Sequence, residues 1–155
     1  MRATHITLHI MASRARVYRA LLDHRAIANW RAPTGMSCHV ETFDVREGGA
    51  YRIALTDDDL SHPGKTPPAA HCYHGRFLTL IPGELIVQTA AFETDDPAFS
   101  GEMAITFTLS DIDGDTELVL VHENLPVGVS LTDNEIAWRV ALGKLAALVE
   151  SGDGA

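Results

Sequence analysis

The chain has 155 residues, 46% of them apolar, which supports a single domain with a real hydrophobic core. Acidic residues outnumber basic ones by 21 to 12, and the resulting net charge of −9 argues against a nucleic-acid backbone or an anionic membrane as partner. No apolar run approaches the ~20 residues needed to span a bilayer. Membrane insertion is therefore not expected.

Met1 to His5 leads into an alternating segment rather than an apolar signal sequence, so a cytoplasmic protein is expected. In that compartment Cys38 and Cys72 are expected as free, reduced thiols. Thr4 to Ile10 alternates Ile6, Leu8 and Ile10 against His5, Thr7 and His9, the pattern of a half-buried strand. Ser13 can cap a short helix to about Leu22 in which Val17, Ala20 and Leu21 share a face. A second short helix, His24 to Trp30, ends at Pro33 and Gly35.

Strands follow. Ser37 to Val45 sets Cys38, Val40, Thr42 and Asp44 against His39, Glu41, Phe43 and Val45, and Gly48-Gly49 turns the chain tightly into Ala50 to Thr56. Asp57 to Ala70 is rich in aspartate and proline and reads as a long loop. Cys72 to Leu80 and Glu84 to Phe92 are strands joined by Ile81-Pro82-Gly83, and Thr94 to Ser100 is a polar loop. Met103 to Leu109 and Thr116 to His122 make a last hairpin around residues 111–115.

Thr132 to Glu150 is an amphipathic helix. Thr132 and Glu135 stand in capping-box register, and Trp138, Ala141, Leu142, Leu145, Leu148 and Val149 recur at three- and four-residue steps. A long helix with one apolar stripe has to lie on a sheet. Consecutive hairpins make a meander that twists and curls, with the helix on its concave side. The expected class is α+β: a helix-grip (START-like) fold, with a curved antiparallel sheet of about seven strands wrapped around a long C-terminal helix and two short helices after the first strand. It forms one domain over residues 1–151, with 152–155 as a disordered tail.

Val17-Tyr18-Arg19-Ala20-Leu21-Leu22-Asp23, then Ile27-Ala28-Asn29-Trp30 and Pro33, resemble the N-terminal signature of the activator of heat-shock protein 90 ATPase homologue-like family. That family is a branch of the SRPBCC superfamily of START and birch-allergen-like helix-grip proteins. The likeness continues through Phe43 to Arg52, Gly75-Arg76-Phe77-Leu78, Pro82 and Leu85-Ile86-Val87, then Thr116 to Glu123 and Trp138 to Leu145. It covers nearly the whole chain. The resemblance implies a small apolar or amphipathic molecule as partner, held between sheet and C-terminal helix. The loop at Asp57 to Ala70 looks longer than the family's usual turn. Co-chaperones of this type also carry a separate N-terminal domain with no counterpart in this sequence, which weighs against a co-chaperone role.

The residues expected to line the cavity are Trp30, Tyr51, Tyr73, Phe107, His122, Trp138 and Leu142. Trp30 would lie near the mouth, closing over a ligand or packing its helix on the sheet. Trp138 serves as a cavity wall or core anchor, and Leu142 with Leu145 as floor or plain core. His122 shares its strand face with Leu118 and Leu120. There it would hydrogen-bond a polar ligand atom, act as a general base, or sit as a histidine satisfied by a backbone carbonyl. A tyrosine hydroxyl at position 51 or 73 would orient a ligand carbonyl or hydroxyl.

His62, His71, Cys72 and His74 suggest a metal, but neighbouring strand positions point to opposite faces and zinc spacings are absent, so no metal or other cofactor is expected. Asp57-Asp58-Asp59 reads as a solvated charge run. No phosphate-binding glycine loop, nucleophile elbow or Cys-x-x-Cys is present. Two alternatives stand beside ligand binding. One is a polyketide cyclase or dehydratase-like enzyme with His122 as base. The other is an interaction module, chaperone-related or a homodimer, using a convex patch around Val119 and Val121.

Overall fold

The computed structural model of the chain describes residues 2–32, 36–57 and 72–151. Strands β1 (Ala3–Ile10), β2 (Met36–Phe43), β3 (Ala50–Asp57), β4 (Cys72–Ile81), β5 (Leu85–Phe92), β6 (Met103–Ile112) and β7 (Asp115–Glu123) form one sheet. Helices α1 (Arg14–Leu22) and α2 (His24–Trp30) lie between β1 and β2 in sequence, and α3 (Leu131–Glu150) follows β7. The sheet order is β1-β7-β6-β5-β4-β3-β2 with every pair antiparallel, the curled helix-grip arrangement expected from the meander. Pro33, Gly35, Asp58 to Ala70, His62, His71 and the tail 152–155 lie outside the described residues.

Alternation explains where the core sits. β1 turns Ile6 and Ile10 inward, β7 turns Leu118 and Leu120, and β6 turns Ile105, Phe107 and Leu109. These meet Trp138, Ala141, Leu142, Leu145 and Val149, all buried on the inner face of α3. Each large apolar side chain so buried contributes roughly 1.5–3 kcal/mol. α1 and α2 pack against α3 as well, closing the open side of the curl. Cys38 and Cys72 are not joined in a disulfide: they sit on β2 and β4, with β3 between them.

Local details correct the sequence reading. The N-cap of α3 is Ser130, whose Oγ accepts from Asp133 N at 3.1 Å, so Thr132 is an ordinary first-turn residue. Glu135 does not reach back to a cap; it pairs with Arg139 one turn later, at 3.0 Å. The expected parity of β2 fails beyond Val40. A register shift between Val40 and Thr42 gives β2 one extra residue, which sets Phe43 opposite the buried Tyr51 and packs it against the core. The connection to β3 is the six-residue segment from Asp44 to Gly49 rather than a tight glycine turn. The last hairpin is tighter than expected: Ile112 pairs with Asp115 across Asp113-Gly114, both at positive φ.

Val119 and Val121 are half-buried on the convex face. Their strand neighbours there are Thr7, His5, Thr108 and Thr106, so the two valines form no broad apolar surface.

Candidate functional site

His122 ends the inward-facing series of β7 and is buried. The Ser130 cap starts α3 so that Asn134 and Trp138, one turn apart, face it. Trp138 Nε1–H donates to His122 Nδ1 at 3.0 Å, with the two rings edge to face at 5.9 Å. Asn134 Nδ2 lies 3.3 Å from the same nitrogen and 2.9 Å from Thr4 Oγ1.

An indole N–H can only donate, so Nδ1 of His122 carries the lone pair and the ring proton sits on Nε2. Nε2 lies 3.2 Å from the Met103 sulfur, a weak acceptor. Burial first, and the nearby Arg31 cation second, push the His122 pKa down to about 3. The ring is therefore neutral at pH 7. Its basic nitrogen is already engaged, which disfavours the general-base role and leaves Nε2–H as a donor facing the interior.

Arg31 was absent from the sequence candidates and is the main addition. It caps the C-terminus of α2, its backbone N–H bonded to Ile27 O. Its guanidinium carbon lies 4.1 Å from the Trp138 ring centroid and 5.3 Å from that of Tyr73. Among the described residues no carboxylate lies within ion-pair distance of it. A basic residue ending a short helix ordinarily reads as a partner of the helix dipole, so nothing in the sequence separates this arginine from a surface one. Asn134 was also missed, although it is legible: it stands four residues before Trp138, on the apolar stripe.

These groups border a cavity of about 110 Å³ between the sheet and the first half of α3. Leu55, Tyr73, Phe92, Met103, Ile105 and Trp138 form most of its wall, and Arg31, His122 and Asn134 bring the polar atoms. A neighbouring void of about 20 Å³ is bordered by Trp30, Phe107, Tyr73 and Trp138, and has room for little more than one water. A shallow depression of about 980 Å³ lies on the outer surface beside α1 and the Pro82-Gly83 turn. It is wide open to solvent, so its volume reflects surface curvature rather than enclosure, and the smaller, deeper space under α3 is the better ligand site.

Of the seven sequence candidates, Tyr73, His122 and Trp138 thus meet at one cavity, and Trp30 and Phe107 border the adjoining void. Trp30 is also tied to α1, its Nε1–H donating to Ala20 O at 3.1 Å. Tyr51 and Leu142 border neither space. Leu142 is fully buried on the inner face of α3. The Tyr51 hydroxyl donates to the Thr89 carbonyl, and burial raises its pKa well above the usual phenol range.

On the convex face Arg52 pairs with Glu41 and Glu93, and His74 Nδ1 lies 3.1 Å from Glu93. The Arg52 hydrogen bonds hold the Glu93 carboxyl below its ordinary value. Among the described residues no cluster of three or more His, Cys, Asp or Glu side chains could hold a metal.

A family model described as Activator of Hsp90 ATPase homolog 1-like protein matches residues 11–150. No curated protein matches the chain. Among solved structures, a Chromobacterium violaceum protein is 34% identical, with a TM-score of 0.86 over 96% of this chain and 97% of the other. A Rhodobacter sphaeroides protein is 18% identical, with a TM-score of 0.79 over 97% of this chain and 93% of the other, a likeness of fold. A putative protein of the dynemicin biosynthetic locus is 17% identical, with a TM-score of 0.69 over 98% of this chain and 48% of the other.

Proposed function

Because the chain belongs to the Activator of Hsp90 ATPase homolog 1-like family, we propose that it is a small-molecule-binding domain holding an apolar or amphipathic ligand between the sheet and α3. One observation carries this reading. The space under α3 is walled mostly by aromatic and aliphatic side chains, yet three polar groups converge on it. An apolar wall with a few placed polar groups is the usual composition of a ligand site. Burial of ligand surface would contribute ~25 cal/mol per Å², with the polar groups setting orientation. A structural neighbour from the dynemicin biosynthetic locus fits a small-molecule setting.

Native mass spectrometry of the purified protein, set beside its denatured mass, tests the proposal. A stoichiometric adduct lost on denaturation supports it and gives the ligand mass. If no adduct appears and a panel of small apolar compounds leaves the Trp138 indole N–H resonance unmoved, the proposal fails. The same spectrum reports whether the protein is a monomer or a homodimer. No helix among the described residues is long and apolar enough to cross a membrane.

A further inference from the structure

Resting on that ligand-binding reading, we infer that the ligand is an anion: a small apolar or aromatic carboxylic acid whose carboxylate is held by the Arg31 guanidinium while its tail enters beside Tyr73 and Trp138.

The first argument is charge. Arg31 borders the cavity, set against the faces of two aromatic rings, with no carboxylate among the described residues in ion-pair distance. Ring faces orient a guanidinium through the π cloud, and the Tyr73 hydroxyl engages one of its N–H groups. A guanidinium has five N–H donors, so the others stay available for a second planar group, and a carboxylate matches them with two parallel hydrogen bonds. An amine ligand would meet a like charge.

The second argument is hydrogen-bond polarity. Nδ1 of His122 is taken by Trp138, so the ring offers the cavity only its Nε2–H, which now faces the weakly accepting Met103 sulfur. Arg31 has no acceptor at all. Asn134 Nδ2 is engaged by Thr4 and His122, so the free donors on this wall are those of Arg31 and His122, and a ligand that satisfies them must bring acceptor oxygens. A neutral alcohol brings one acceptor and a proton with no good partner.

The third argument is size. A partly open space of about 110 Å³ is near the lower limit for one ring or a short aliphatic tail. Arg31 is only half-buried, so the charged head can stay at the mouth, where it keeps part of its hydration. Tail inside and head at the arginine is the arrangement that the dimensions allow.

The test uses benzoate and its neutral isostere benzamide, titrated into the full chain and followed by amide and indole N–H chemical shifts. The wild type is expected to bind benzoate about tenfold or more tightly than benzamide, the scale of a charge-assisted bidentate pair. Arg31→Gln should bring the two within about threefold of each other by weakening benzoate alone, and Arg31→Lys should retain part of the preference as a point charge.

Equal affinities in the wild type, or a preference that survives Arg31→Gln, would overturn the carboxylate assignment and leave a cavity that binds neutral molecules. If neither compound shifts the Trp138 indole or the amides of the cavity wall, both this inference and the ligand-binding reading fall. The wild-type comparison alone decides the point should Arg31→Gln fold poorly.

Discussion

Trp138 donates its indole N–H to Nδ1 of His122 across the gap between α3 and β7, at 3.0 Å. This bond requires a lone pair on Nδ1, so it exists only while the imidazole is neutral. One contact thus joins the last strand to the last helix and fixes a tautomer at the cavity wall.

A pH dependence follows. The unfolded chain's histidine titrates near 6.5, whereas in the fold the value is about 3, because burial and then Arg31 oppose the charged form. Below pH 6.5 the unfolded state binds a proton that the folded state does not. Stability is therefore full above pH 6.5 and declines as pH falls towards 3. Between pH 7 and 4.5 this group should cost on the order of 2–3 kcal/mol. Urea unfolding of wild type and His122→Gln at both pH values checks it. The variant should start less stable and lose less on acidification; parallel losses would show that His122 titrates normally in the fold.

Gly75 is a second point where geometry leaves little freedom. A Cβ built there would lie 1.9 Å from the Thr89 carbonyl oxygen. That carbonyl accepts the Tyr51 hydroxyl, and Tyr51 stands opposite Gly75 on the neighbouring strand. The tyrosine ring thus covers the place where the glycine has no side chain, a known way of pinning strand register. Gly75→Ala should destabilise by about 3 kcal/mol or more, because a backbone atom rather than a side-chain tip must move. Tyr51→Phe should cost ~1–2 kcal/mol through the lost donor. Thermal melts of both variants give the comparison, and an unchanged melting temperature for Gly75→Ala would mean that the strands are not so close in solution.

The fold was legible where burial follows period. The β1 alternation and the α3 stripe each repeat long enough to identify the buried face, and both faces are as expected. The β2 parity was not legible beyond Val40, because a bulge inserts a residue without changing composition. The Asp113-Gly114 turn was legible in principle as a two-residue hairpin signal, and was read too wide. At the site, Tyr73, His122 and Trp138 came from strand parity and helix stripe. Arg31 came from neither, since its place between two rings depends on how α2 approaches α3 and β4.

The start of α3 gives a sharp comparison between neighbouring hydroxyls. Ser130 and Thr132 both suit an N-cap by type, yet only Ser130 Oγ accepts from a first-turn N–H. Ser130→Ala should cost ~1 kcal/mol, whereas Thr132→Ala should be neutral or stabilising by a few tenths, since an exposed threonine inside a helix is a weaker helix former than alanine. Chemical denaturation of the two variants should rank them in that order. The reverse ranking would move the helix start two residues along the chain and turn Asn134 away from His122.

Trp30 permits a last separation of packing from ligand contact. Its indole N–H donates to Ala20 O in the last turn of α1, where helix carbonyls lack an intrahelical partner. The bond is buried and spans the corner between the two short helices, so it holds α2 in the position from which Arg31 reaches Trp138. Trp30→Phe keeps an aromatic ring but removes the donor, and should cost ~1–2 kcal/mol of stability. It should also loosen the corner, so the Trp138 indole N–H resonance, under the Arg31 guanidinium, is expected to shift although it lies outside the substituted residue. A stability loss without that shift would mean that α2 is held by its apolar contacts, Ile27 foremost, and that the Trp30 bond does not set the position of Arg31.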